Sequence, residues 1–386
     1  MNKKIIDESY EEVINLIQQL IACHPMYGNL GQLKGQKILL EYLNKKGWVT
    51  YLDEYSYEDI KNNELVKKPW EYDKSFIDYK HINKHNLYAV LDSKRPGNTL
   101  ILNGHIDVDI INKTNQIANT VPQLLTDRIK GRGSTDMLSG LCSMVSIKNY
   151  LDTVPWRGKV VFTSVVDEEI GGNGSIRACQ WMKEKKMLND IDQVECIIAE
   201  PSECNVCYET LGFLPFTISL NSEIKHMNAK SNETNFLKLT NIINQLAQLQ
   251  ILDQKLNVNI GYMHGGHDAS LPIDELMLKG VVATTVEYNN DSVIKKLKEY
   301  ATDLFIPKIS ITAVRSRNNN FGKSLYHGDI FKSSCDATIF NSFHIPTTVF
   351  GPGSLEQAHT EKEYILLSEI ERYLTRFYNC VGEYLN

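Results

Sequence analysis

The chain has 386 residues, of which 42% are hydrophobic, and a formal net charge of −6, which together indicate a globular protein with a sizeable core. Its basic residues are scattered, so we expect no nucleic-acid partner. Because it has no apolar run near the roughly 20 residues of a membrane span and no signal-peptide pattern at its start, we expect a cytoplasmic protein with no membrane partner.

Apolar spacing predicts helices and strands that alternate along much of the chain. The predicted helices span 8–23, 31–47, 140–150, 336–342 and 366–384. The predicted strands span 49–55, 86–91, 100–102, 159–166, 195–199 and 346–350. This pattern predicts an α/β catalytic domain, a mixed sheet with helices on both faces, built from 1–207 and 321–386.

The segment 208–320 has a different order of elements. Its predicted strands span 213–220, 256–261, 281–288 and 308–314, and its predicted helices span 234–250 and 291–304. Strand, helix, strand, strand, helix, strand is the order of a ferredoxin-like α+β fold. We therefore predict an inserted domain over 208–320.

Histidine and carboxylate residues follow the predicted strands of the catalytic domain. His105 and Asp107 come after the 100–102 strand, and two residues apart on an extended segment they point the same way. One of them could then ligate a metal while the other fixes the imidazole tautomer. Adjacent carboxylates such as Glu168 and Glu169 resist burial unless cations compensate them, although a solvated acidic turn is the alternative.

The collected candidates form one nitrogen and oxygen donor set, namely His105, Asp136, Glu168, Glu169, Glu200 and His359. The set has too much carboxylate for a single tetrahedral zinc and suits two divalent ions, zinc, cobalt or manganese. Two such ions can lower the pKa of a shared water and polarise a carbonyl, which is the chemistry of hydrolysis. Gly131 and Gly133 could suggest a nucleotide loop, but the further glycine and acidic residue that such a loop needs are not at the required offsets.

The order of these motifs resembles the co-catalytic zinc amidohydrolases, the family of acetylornithine deacetylase, succinyl-diaminopimelate desuccinylase, aminoacylase and the glutamate carboxypeptidases. The resemblance covers nearly the whole chain and rests on residues 103–107, 131–137, 167–169, 199–202, 350–353 and 358–364. Residues 334–337 and 344–353 are most similar to the acetylornithine deacetylase branch.

The resemblance implies a role for each candidate. Asp136 would bridge two metal ions, most simply Zn²⁺. His105 and Glu200 would complete one metal site, and Glu169 and His359 the other. Glu168 would be the general base that takes a proton from the metal-bridged water, and Asp107 would orient His105.

The inserted domain would act as a lid and form a homodimer, again by resemblance. His226 lies where the family sends a histidine towards the scissile carbonyl, with a surface histidine as the alternative. The chain departs from the family at 231–235 and at Glu287, which lies near the place of an arginine that holds a substrate carboxylate. An acid there favours a substrate with an amino group.

The leading hypothesis is a dimetal deacylase that cleaves the amide bond of an N-acyl amino acid or N-acyl amine. A dipeptidase or carboxypeptidase of the same fold is the alternative, since these enzymes differ in which side of the amide the pocket accepts. A metal-binding scaffold without activity is the third hypothesis, and a retained Glu168 argues against it.

Overall fold

The computed structural model describes residues 3–72, 76–109, 120–188, 193–221, 223, 226, 235–252, 256–303, 308–311 and 329–386. The α-helices in these residues are α1 (Lys3–Ala22), α2 (Leu30–Lys45), α3 (Tyr57–Ile60), α4 (Pro69–Tyr72), α5 (Ser139–Val145), α6 (Ile147–Leu151), α7 (Asn173–Glu184), α8 (Asn235–Leu252), α9 (Asn290–Asp303), α10 (Ala337–Ser342) and α11 (Leu367–Tyr384).

The strands of the described residues include all of the predicted strands, one of them at a shifted position, and several short strands that were not predicted. They are β1 (Val49–Tyr55), β2 (Lys84–Asp92), β3 (Thr99–His105), β4 (Gln123–Leu124), β5 (Arg128–Lys130), β6 (Lys159–Val165), β7 (Val194–Ile198), β8 (Cys207–Thr210), β9 (Gly212–Asn221), β10 (Asn257–Gly265), β11 (Glu275–Thr284), β12 (Lys308–Ile311), β13 (Asp329–Phe331), β14 (Thr347–Val349) and β15 (Tyr364–Leu366).

A mixed sheet forms the framework of the first compact unit, which comprises 1–209, 319–331 and 335–386. Within the described residues its eight strands lie in the order β1-β2-β6-β3-β7-β14-β8-β13. The central strand β3 is parallel to both neighbours, β6 and β7, and β14 is parallel to β7. The carboxyl ends of these four strands therefore meet at one edge of the sheet.

The alternation of side chains along β3 explains why helices cover both faces of the sheet. Leu100 and Leu102 are fully buried in the same core cluster as α1, α5 and α11, whereas Ile101 is buried in a second cluster with α7 and α10. Successive residues of a strand point to opposite faces, so a strand that is apolar throughout needs a core on each side. The predicted mixed-sheet α/β class is confirmed.

A small antiparallel sheet with the order β15-β5-β4 accompanies the main sheet. Its register pairs Tyr364 with Lys130 and Leu366 with Arg128. The sequence analysis did not predict it, because strands of two or three residues are too short to show a period.

The second compact unit comprises 210–318 and 332–334. Its described strands form an antiparallel sheet in the order β10-β11-β9-β12, with α8 between β9 and β10 and α9 between β11 and β12. This is the predicted ferredoxin-like arrangement, and it is confirmed. The predicted end of the last strand, 312–314, and the predicted boundary at 320/321 lie outside the described residues.

One strand of this unit was placed wrongly, since 281–288 was predicted and β11 runs from Glu275 to Thr284. The backbone N–H of Thr285 donates to the carbonyl of Tyr288, and the backbone N–H of Tyr288 donates to the Thr285 hydroxyl. Residues 285–288 therefore form a turn, and Glu287 is exposed in it.

Within the described residues, no helix is long and apolar enough to span a membrane.

Candidate active site and metal centre

Four of the six candidate residues lie at the edge where three of the parallel strands end. β3 ends at His105, β6 is followed by the Asp167-Glu168-Glu169 run, and Glu200 lies two residues beyond β7. Because β6, β3 and β7 are neighbours in the sheet, their carboxyl ends lie side by side. An apolar strand ended by an acid or a histidine thus delivers its polar side chain to this edge.

Asp136 and His359 reach the same place from loops. Asp136 follows β5 of the small sheet, which differs from the expectation that every candidate ends a strand of the main sheet. Its turn requires glycine at 133, where φ is 85° and a Cβ would lie 2.5 Å from Cγ1 of Val108. His359 lies in the loop after β14, and 47% of its side chain is exposed, against 1% for His105.

The candidate ligand atoms form two groups that share Asp136. In the first group, His105 Nε2 lies 3.2 Å from Asp136 Oδ1 and 3.6 Å from Glu200 Oε1. In the second group, His359 Nε2 lies 3.2 Å from Asp136 Oδ2 and 3.2 Å from Glu169 Oε2. Within each group the ligand atoms lie within 4.8 Å of one another, so each group could hold one metal ion.

The hydrogen bonding of His105 fits a metal at its other nitrogen. Nδ1 lies 2.8 Å from the backbone carbonyl oxygen of Asp107, a contact that is satisfied when Nδ1 carries the proton. Nε2 is then an acceptor that faces the carboxylates of Asp136 and Glu200, and it makes no hydrogen bond to the described residues. A metal ion at Nε2 would supply the positive charge that these converging buried acceptors need.

Asp107 contacts the site differently from the prediction. Its carboxylate Oδ1 lies 3.8 Å from His105 Nδ1, beyond hydrogen-bond distance, and its carbonyl takes that place instead. Its other carboxylate oxygen accepts a hydrogen bond of 3.1 Å from the backbone N–H of Glu169. Asp107 therefore ties the end of β3 to the loop that carries Glu169.

The electrostatics of the centre show an excess of buried carboxylate. Burial raises the pKa of Glu200 to about 7, and the charge of Asp136 acts in the same direction. Burial also acts to raise the pKa of Asp136, but the imidazoles of His105 and His359 outweigh it and hold that pKa below its usual range. Burial acts to lower the pKa of His359, but the hydrogen bonds that its imidazole donates to Asp136 and Glu169 raise that pKa to about 12. Positive charge is therefore stabilised where the two groups meet.

Glu168 directly precedes Glu169 in the chain but belongs to neither ligand group among the described residues. It is partly buried, and burial raises its pKa well above the usual value, with His105 opposing this effect. A carboxyl that is close to a metal centre, is not used as a ligand and has a raised pKa is suited to proton transfer.

The predicted site residue of the second unit, His226, is exposed. Residues 224–225 and 227–234 lie outside the described residues, and with them most of the departure at 231–235. A role for His226 stays a prediction.

Two buried contacts at the centre were not predicted from the sequence. The hydroxyl of Tyr79 donates a 2.6 Å hydrogen bond to the carboxylate of Asp167, the residue before Glu168. The carboxylate of Glu363 forms a 2.8 Å ion pair with Arg132. Tyr79 lies between the predicted strands 49–55 and 86–91 and gave no signal, whereas Arg132 and Glu363 lie inside the motifs of Asp136 and His359.

Comparison with known proteins places the chain in a family. The profile of Peptidase family M20/M25/M40 matches residues 101–383, a range that includes both candidate ligand groups. The chain belongs to this family, and it is a metal-dependent hydrolase that acts on amide bonds.

Relatives of similar sequence are hydrolases with different names. An uncharacterised metallohydrolase of Methanocaldococcus jannaschii is 27% identical over 232 residues, which is 53% of this chain and 63% of that protein. N-formyl-4-amino-5-aminomethyl-2-methylpyrimidine deformylase of Halalkalibacterium halodurans is 22% identical over 78% of this chain and 83% of its own length. A probable succinyl-diaminopimelate desuccinylase of Staphylococcus aureus is 24% identical over 79% of this chain and 88% of its own length.

Solved structures share the fold at low sequence identity. A dipeptidase of Saccharomyces cerevisiae superimposes with a TM-score of 0.71 at 12% identity, covering 99% of this chain and 97% of that one. A dinuclear metal-binding peptidase of Bacillus subtilis superimposes with a TM-score of 0.60 at 14% identity, covering 98% of this chain and 99% of that one.

Proposed function

We propose that this protein is a dimetal deacylase that hydrolyses the amide bond of an N-acyl amino acid or an N-acyl amine and is similar to acetylornithine deacetylase. The products would be a free amine and a carboxylate. The observation that carries the proposal is the convergence of His105 and His359 on the two oxygens of Asp136, with Glu168 beside them and outside both ligand groups.

The donor set suits two divalent ions, for which we propose Zn²⁺, with Co²⁺ or Mn²⁺ as alternatives. His105, Asp136 and Glu200 would hold one ion, and Asp136, Glu169 and His359 the other. Bound ions of this kind lower the pKa of a water and polarise a carbonyl oxygen. Asp107 would position the first group by fixing the tautomer of His105 through its carbonyl.

We assign the proton transfers to Glu168. Its carboxylate would take a proton from the attacking water and pass that proton to the nitrogen of the departing amine. Burial supports this role, because the raised pKa brings the carboxyl closer to neutral pH, where a group can both accept and donate a proton. We propose His226 as a donor to the carbonyl oxygen in the transition state.

A dipeptidase of the same fold is the alternative, and the likeness to the S. cerevisiae dipeptidase over nearly the full chain supports it. From the place of Glu287 in the sequence we also propose a substrate with an amino group over one with a second carboxylate; Glu287 is exposed in the turn after β11.

We propose that 208–320 is the lid and forms a homodimer. Exposed apolar side chains support a protein partner for this segment: Phe236 is 60% exposed, Met263 50% and Tyr262 47%. Light scattering on a size-exclusion column tests the dimer, and a monomer at micromolar concentration would contradict it.

A substrate panel tests the deacylase. Release of primary amine is measured with N-acetyl, N-formyl and N-succinyl amino acids, with N-acetyl polyamines and with dipeptides, each with and without chelator. We expect chelator-sensitive turnover of an acylated compound above that of any dipeptide. Preference for a dipeptide would favour the alternative, and turnover that resists chelation of all bound metal would contradict both.

The variant Glu168→Gln tests the general base. Removing a positioned general base costs about 100- to 10,000-fold in rate, and the metal content should not change. Glu41→Gln, on an exposed position of α2, is the matched control and should keep full activity. Turnover by metal-loaded Glu168→Gln close to that of the control would exclude the role.

A further inference from the structure

The two candidate ligand groups are supported to different degrees by the fold. His105 is buried at the end of β3, and ladders to β6 and β7 hold that strand on both sides. His359 is half exposed on a loop, and its backbone has φ of 60°, in the left-handed region. Something other than a ladder must therefore hold His359 opposite Asp136.

The hydrogen-bonded ladder between β5 and β15 ends a few residues short of Asp136 on one segment and of His359 on the other. Tyr364 pairs with Lys130, and one further bond runs from the backbone N–H of Gly131 to the carbonyl of Glu363. Beyond that point the two chain segments separate, one towards Asp136 and the other towards His359. The side chain of Glu363 lies where they separate.

Glu363 joins the two segments through its carboxylate. Oε1 accepts hydrogen bonds from the backbone N–H groups of Thr135 at 3.0 Å and Asp136 at 3.2 Å, and Oε2 accepts one from Arg132 Nη1 at 2.8 Å. Glu363 is fully buried and Arg132 is 5% exposed. A buried carboxylate with an ion-pair partner and N–H donors on both oxygens is held in one position.

We propose that Glu363 is a positioning residue that clamps the His359 segment to the Asp136 turn and thereby sets the metal affinity of the Asp136, Glu169 and His359 group. This inference rests on the metal binding in the proposed function and adds a residue to it. Glu363 belongs to neither ligand group among the described residues. It acts on the position of His359, four residues before it in the chain, relative to the Asp136 turn.

The variant Glu363→Gln tests the clamp. An amide keeps the size of the side chain but replaces one oxygen by an NH2 group, which must face donors either at Arg132 or at the backbone of Thr135 and Asp136, and the loss of the charge removes the ion pair. Affinity for Zn²⁺ is measured by titration of the metal-free protein against a competing chelator, and Co²⁺ absorption serves as a second readout. We expect the affinity that belongs to the Asp136, Glu169 and His359 group to fall about tenfold or more, as when the hydrogen-bond partners of a metal ligand are removed. The affinity of the His105, Asp136 and Glu200 group should be retained.

Asp53→Asn is the matched control, because it breaks another ion pair of the same unit. Arg177 Nε lies 2.8 Å from Asp53 Oδ2, and each side chain is 14% exposed. This variant should lower thermal stability and leave both affinities unchanged. Glu363→Asp, which keeps the charge on a shorter side chain, replaces Glu363→Gln if the latter does not fold, and it should show the same selective weakening to a smaller extent.

The outcomes separate the clamp from the proposed function. Selective weakening of one site in the Glu363 variants, absent from Asp53→Asn, supports the clamp. Equal weakening of both sites, unchanged affinities, or the same change in Asp53→Asn would overturn it. Failure of the wild-type protein to bind two ions would instead overturn the proposed function.

Discussion

Replacing Glu195 by glutamine tests how much free energy this protein loses by burying a carboxylate in the main sheet. Glu195 lies on β7, and its Oε2 atom is buried with no hydrogen-bond partner among the described residues. Burial raises its pKa from 4.5 to about 7. The carboxyl is therefore harder to ionise in the folded protein than in the unfolded chain.

The sign and size of the effect follow from proton linkage. Below pH 4.5 the group is protonated in both states and costs nothing, and the cost grows until the pH passes 7. The full shift corresponds to about 3.4 kcal/mol, and the partial exposure of the side chain reduces this to roughly 1–2 kcal/mol. Glutamine has the size of the carboxyl without its charge, so the stability of Glu195→Gln relative to the wild type should rise as the pH increases from 4.5 and reach its full gain above pH 7.

The assay is thermal unfolding of both proteins at pH 4.5 and pH 8.5. We expect equal Tm at the lower pH and a gain of about 2–4 °C for the variant at the higher pH. Glu41→Gln, exposed on α2, should give no gain at either pH. An equal gain at both pH values, or none at pH 8.5, would refute the argument.

Two further predictions concern residues that hold the ligand loops. Tyr79→Phe removes the 2.6 Å hydrogen bond to the buried carboxylate of Asp167 and should lower the free energy of unfolding by about 2 kcal/mol; unchanged stability in chemical denaturation would contradict this. Gly140→Ala puts a Cβ 2.0 Å from the carbonyl oxygen of Ala199, displaces the residue before Glu200 and should reduce metal content measured by mass spectrometry. Gly261→Ala, whose Cβ meets only a side-chain nitrogen at 3.6 Å, should keep full metal content.

The sequence was sufficient for six of the eight described strands of the main sheet and for the candidate residues that follow three of them, whereas β8 and β13 were not predicted. A strand that is apolar throughout, such as 159–166, must be buried on both faces, and a polar residue at its end must lie at the edge of the sheet. The same argument placed His105 and Glu200 correctly relative to their strands. Hydrophobic periodicity and the order of residues along the chain are local signals. The position of these strands, and of the polar residues that follow them, depends on such local signals alone.

The contacts between the loops could not be predicted in this way. Arg132 and Glu363 lie 231 residues apart, and no period relates them. The partner of the His105 imidazole is the carbonyl of Asp107 and not its carboxylate, a choice that depends on backbone angles in a loop. The predicted strand began too late because it was placed on the apolar run that starts at Val281, while the alternation of exposed and buried side chains from Glu275 onward, itself a strand signal, was not recognised.

The metal content of the reconstituted protein tests the central claim most directly, because the two ligand groups share Asp136. Protein loaded with Zn²⁺ and freed of excess metal is measured by mass spectrometry as wild type and as His359→Ala. We predict two ions per chain in the wild type and one in His359→Ala, since the His105, Asp136 and Glu200 group stays complete. A single ion in the wild type, or two ions retained after removal of His359, would contradict the account.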